Sequence, residues 1–437
     1  MALNGLRHIN LRNLLIISPL GFMTYRHWTN GIVFLFFVLS LIYLWRNRSH
    51  QTGSPKTTSS MGSDLWVIAC LAGLVTAVGI GQLLRQHFYA PNFDAPLRLA
   101  MCIPIYLALR KGWLTSEQNH KPITVWWMTV IFPLTLIWTL VCFLLTAPNE
   151  WGVHRGTYFV DPLTFGSFCL LFSLLCLSGI TGNDQQLKRH QLWLCAFAIL
   201  AGLFMAVVVN SRTGWLNLPV FLILWAYFHL RPQWGGKLTL IATSMIVVIV
   251  VGLLLSFPGL LNKFMTAYQE LVDYKWDEMN PDQSVTMRIS FYRMAFFYFI
   301  QNPIQGWGDL GWQSLMNHPD LIKFASSYTR ESTAQGFHNE IITNTIRSGI
   351  WGLIASMLFY GVPIKRAIRG LVQVDQKLKI VSFNLLIFIL HLFFAGLTTE
   401  VTNLVFLCSF IGISLSVMMA EQGKIESIKN KNQFLLK

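Results

Sequence analysis

The chain has 437 residues, of which 54% are hydrophobic and only 12% charged, and its mean hydropathy is +0.50. Soluble domains carry about 25% charged residues, so an ordinary soluble protein is excluded; recurring runs of about 20 apolar residues mark a polytopic membrane protein. The net charge of +14 could suit nucleic acid, but its distribution among loops fits membrane topology instead.

Helix is the expected state of every span, because the hydrocarbon core offers backbone groups no other partner. Twelve spans are predicted, at 11–25, 30–46, 64–84, 93–109, 124–147, 161–182, 190–210, 213–230, 237–256, 339–364, 380–397 and 401–420. The first carries no small-residue cleavage site and reads as a retained helix. The fourth contains Asp94 and Arg98, an i,i+4 pair able to neutralise itself. With the N-terminus inside, most basic residues fall in cytoplasmic segments, including Lys365, Arg366, Arg369, Lys377 and Lys379. The short outer loops hold only Arg26, Arg85, Arg155 and Arg212. The division is therefore residues 1–256 with helices one to nine, an outer loop over 257–337, helices ten to twelve over 338–420, and a loose cytoplasmic tail over 421–437. The seven cysteines all lie in apolar segments and read as small buried hydrophobes.

The outer loop is too long to be a plain connection. Residues 260–274 read as an amphipathic helix. Residues 288–300, RISFYRMAFFYFI, read as a second, stopped by Asn302-Pro303. The GWGDLGW strip that follows matches GxGxxG through Gly306, Gly308 and Gly311. It lacks the preceding strand and βαβ unit, so a nucleotide role is rejected.

No DxD and no histidine pair at i,i+3 or i,i+4 appears, so no metal-ligand set and no cofactor is expected. Chemistry would rest on His and Arg. Arg212, in SRTGW, opens span eight, either as an interfacial anchor or as an anion site at a helix N-terminus. Arg288 also opens a helix, where a cation opposes the dipole. His338 begins the tenth helix, whose positive end should keep the imidazole neutral and able to accept a proton. On a continuous helix Gly349 lies about 20° and Gly352 about 40° round from His338, giving a smooth face for close helix packing. Arg347 lies about 180° away, as a functional group or a structural ion pair. Glu340 and Glu400 are its potential partners or orienters.

His338-Asn339, nine residues, Gly349, two residues and Gly352 resemble the H-[NSQ]-x9-G-x-x-[GTY] signature of bacterial O-antigen ligases. SRTGW around Arg212, and Arg288 followed by NPIQGWG, extend the likeness over about residues 200–360. The resemblance implies a membrane glycosyltransferase of the GT-C type with about 12 helices and a large helical periplasmic loop. It would move a polysaccharide from undecaprenyl diphosphate to lipid A-core at the periplasmic face of a Gram-negative inner membrane, with both termini cytoplasmic. It implies His338 as the base and Arg212 and Arg288 on the diphosphate. Asn339, Arg347, Arg293 and Trp307 would bind substrate or orient it, and Trp307 and Trp312 offer rings for sugars. An O-antigen polymerase shares donor and signature. A lipid or solute transporter is the rival from another class, and would show internal repeats and polar residues at mid-depth.

Overall fold

A computed structural model describes residues 11–47, 58–114, 122–146, 160–181, 187–209, 212–256 and 258–435. Among them, all regular structure is helical. The main helices are α1 (Arg26–Arg46), α2 (Thr58–Arg85), α3 (Asp94–Ala100), α4 (Cys102–Arg110), α5 (Ile123–Thr146), α6 (Pro162–Thr181), α7 (Arg189–Val208), α8 (Arg212–Trp225) and α9 (Arg231–Ser256). They continue with α10 (Pro258–Val272), α11 (Ser284–Gln301), α12 (Glu340–Ser348), α13 (Ile350–Leu371), α14 (Gln376–Gly396) and α15 (Val405–Leu435). Among the described residues seven helices are long and apolar enough to cross a membrane: α1, α2, α5, α6, α7, α14 and α15. The chain is a multi-pass helical membrane protein.

Helices α6, α14 and α15 are buried on nearly every side, because they are apolar all round, with Ser, Cys and Gly where backbones approach. Gly202 of α7 shows the device: a Cβ there would overlap the Ser173 hydroxyl of α6. Stacked phenylalanines, Phe22 on Phe410 and Phe132 on Phe172, fill the centre. The loop between α9 and α12 has a smaller core of its own, from Phe291, Met294, Tyr298, Trp312, Phe324 and Phe337.

Three expectations change. The fourth span is two short helices, α3 and α4, though its Asp94–Arg98 pair does form, at 3.3 Å. The tenth span is two helices, α12 and α13, because Gly349 takes φ +63°, a left-handed conformation open to glycine. The tail is not loose at its start. Helix α15 runs on to Leu435, held where Gln422 donates to the Arg366 carbonyl at 2.6 Å and where Thr124 donates to Glu421. Arg155 lies outside the described residues.

Candidate functional site

Helix α12 organises the loop end of the bundle. Asn339 caps it, its Oδ1 accepting from the Ile342 N–H at 3.2 Å. Glu340 in the first turn and Arg347 in the last complement the dipole. Nine residues rise about 13 Å, too short to cross a membrane.

The C-terminus of α12 is capped by the glycine strip. Trp307 N–H donates to the Ile346 carbonyl and Gly308 N–H to that of Arg347, both at 2.9 Å, and Ile350 N–H donates to Pro303 at 2.8 Å. A Cβ on Gly306 would overlap the Gly349 nitrogen, and one on Gly349 the Ile304 carbonyl. These glycines exist so that two backbones can touch. Gly352 likewise meets the Asn344 carbonyl of α12, so its packing partner is the preceding helix.

The loop before α12 is moulded on Glu400. Gly336 has φ +101°, and any Cβ there would overlap the Glu400 carboxylate. Thr343 donates to Glu400 Oε1 at 2.7 Å and its hydroxyl accepts from the Phe337 N–H at 3.0 Å. Asn403 donates to the other carboxylate oxygen. Behind it, buried Glu340 accepts from Tyr360 at 2.8 Å and from Thr402. Burial raises both carboxyls, Glu340 to about 7, while nearby Arg347 opposes the rise at Glu400.

Between these pinned neighbours His338 adopts φ +48°, rare for a residue with a side chain and typical of over-determined functional positions. Its ring stacks on Phe291 of α11, centroids 5.6 Å apart and planes 28° from parallel. Arg288, one turn earlier on α11, brings its charge to the same ring. Burial first, and Arg288 second, hold His338 below the usual imidazole range. The direction agrees with the sequence expectation; the cause is burial and a cation, and the ring precedes the helix it was expected to begin. Half-buried Arg288 makes no ion pair or hydrogen bond among the described residues. A neutral base thus stands beside an uncompensated guanidinium, a pairing suited to proton removal next to an anion.

The other arginines differ. Arg212 opens α8; its side chain lies outside the described residues. Phe221 of α8 stacks on His391 of α14, and His229, just past the end of α8, meets Phe383, so the two segments run antiparallel. Arg347 is tied up: it sits 2.7 Å from Asp309 in an ion pair bent off the hydrogen-bond axis, bonds Asn403, and lies 3.6 Å from Glu400. Arg293 is not brought to the site. About 140° round α11 from Arg288, it donates to the Trp276 carbonyl at 2.6 Å and lies 3.8 Å over the Phe324 ring. Trp307 anchors the strip through an Nε1 bond to the Tyr298 carbonyl at 2.8 Å. Trp312 is fully buried in the loop core, which removes it as a sugar platform. Phe291, Gly336, Asp309 and Asn403 were not singled out from the sequence. For Phe291 the i,i+3 spacing from Arg288 was the available signal.

Fold and site together define a multi-pass membrane protein with a candidate site at one end of the bundle. Residues 196–357, which contain Arg212, Arg288 and the whole His338–Gly352 segment, match the family model described as O-antigen ligase. Over that segment, less than half of its length, the chain is similar to the O-antigen ligase family, and the likeness supports a function of the ligase or polymerase type. No curated protein matches the chain.

Proposed function

We propose that the protein is an O-antigen ligase, moving a polysaccharide from undecaprenyl diphosphate onto lipid A-core at the periplasmic face of the inner membrane. The observation that carries this reading is the His338 imidazole stacked on Phe291 beside the uncompensated charge of Arg288. His338 takes the proton of the acceptor hydroxyl as its oxygen bonds to the anomeric carbon. The bond from that carbon to the diphosphate breaks, and its electron pair leaves with the polyprenyl diphosphate. Arg288, with Arg212 from α8, stabilises the charge that develops there, so the step calls on no metal. A single displacement inverts the anomeric centre. Asn339 orients the loop by capping α12. In this reading the chain is a GT-C-type transferase with 12 spans and both termini in the cytoplasm.

The test is reconstitution with a lipid-linked donor, offering lipid A-core and a second lipid-linked glycan in turn. Glycan on lipid A-core is the expected product. Chain growth on the prenyl carrier makes the protein a polymerase and overturns the ligase assignment.

A further inference from the structure

We propose that a cavity on the far side of α12 from α11 is a binding subsite for the acceptor saccharide, taking one neutral, hydroxyl-rich ring; this rests on the transferase reading above. The void measures about 190 Å³. It is built by segments far apart in sequence: Arg85 at the end of α2, Asn92 in the turn before α3, Asn344 and Arg347 on α12, and Thr402 and Asn403 in the turn before α15.

Its lining supplies donors and acceptors together, as a ring of hydroxyls requires. Asn92 Oδ1 is buried without a hydrogen-bond partner, an acceptor left open beside the void. An unmet buried polar atom costs about 1–3 kcal/mol, so a group that meets it gains affinity. Arg85 spends only Nη1 within the protein, on the carbonyls of Gln305 and, at 3.0 Å, Arg347. Its Nε and Nη2 make no hydrogen bond among the described residues.

Charge separates this cavity from the site on α11. Arg347 is paired with Asp309, whose charge also acts on Arg85, and Asp94 is paired with Arg98. The cavity therefore offers no net pull on a diphosphate, whereas Arg288 does. Helix α12 stands between them: Ile342 and Ile346 face the loop core, and Asn344, Arg347 and Ser348 face the cavity. The reacting hydroxyl has to reach His338 at the head of α12, so a ring held on this face belongs to a more distant part of the acceptor. Asn344 is about 7.5 Å along α12 from Asn339, so the ring held here lies further along the acceptor glycan than its reacting hydroxyl.

The test is calorimetry of the full chain in lipid nanodiscs, with core oligosaccharide released from lipid A as the probe. Wild-type protein binds it. Asn92→Leu, and Ala95→Phe, which fills the void from its buried edge, each weaken binding about ten-fold at unchanged melting temperature. Arg288→Gln stays within about two-fold of wild type. The reverse pattern, or no wild-type binding at millimolar oligosaccharide, overturns the subsite. Binding that follows the expected pattern in a protein that transfers no glycan to lipid A-core keeps the subsite and removes the ligase reading instead.

Discussion

The two faces of α12 carry the same residue type to different ends. On the α11 face Arg288 has no counter-charge among the described residues and stands beside a strained, neutral imidazole. On the opposite face Arg347 is consumed by Asp309, Asn403 and Glu400, while Arg85 gives only Nη1 to backbone carbonyls. An arginine buried with its partners builds structure; an arginine denied them is held ready for a ligand. Stability and reactivity should therefore divide along α12, and variants on each face can break that division.

The largest effect is expected from His338→Ala. Loss of the base should lower transfer by about 10²–10⁴-fold with insertion and melting temperature unchanged, since the ring only stacks on Phe291. Normal transfer by this variant would remove the assignment. Next comes Arg288→Lys, expected to lose about 10²-fold because a point charge does not replace a two-pronged donor on a diphosphate. Wild-type turnover with lysine would reduce Arg288 to a counter-charge.

How much of this was legible follows from the same contrast. Local signals were read correctly: the loop helices expected over 260–274 and 288–300 occur at Pro258–Val272 and Ser284–Gln301. So was the wrong context of the GxGxxG strip. What residue type alone could not show is whether a polar group is spent. Arg288, Arg293 and Arg347 look alike in the sequence, and only tertiary contacts separate the free one from two that are tied. The break at Gly349 was hidden by the apolar run around it. Arg347-Ser348-Gly349 was nonetheless available as a helix C-terminus, with a basic last turn and glycine after it. Gly336 was unreadable, because what forbids a Cβ there is Glu400, 64 positions away.

On the structural face the expected effect is on stability. Arg347→Met leaves Asp309 without its partner and unties the turn at Asn403, costing about 1–3 kcal/mol in denaturant unfolding. Residual activity, compared at equal folded fraction, should stay within a few-fold of wild type. A loss of turnover as deep as that of Arg288→Lys in a fully folded Arg347 variant would mean that Arg347 acts on the reacting groups themselves.

The smallest effect is the sharpest on the site itself. Burial and the Arg288 charge both disfavour imidazolium, so His338 should remain neutral as pH falls through the usual imidazole range, near 6.5. The acid limb of transfer should accordingly lie below that range. Arg288→Gln removes the second cause and leaves the first, so titration of the labelled His338 ring by NMR should move to higher pH yet stay below the ordinary value. Arg347→Met should not move it, because Arg347 is not among the groups that shift this ring. An unmoved titration in the Arg288 variant would place its guanidinium too far from His338 to share a substrate, and the two-faced account of α12 would lose its reactive side.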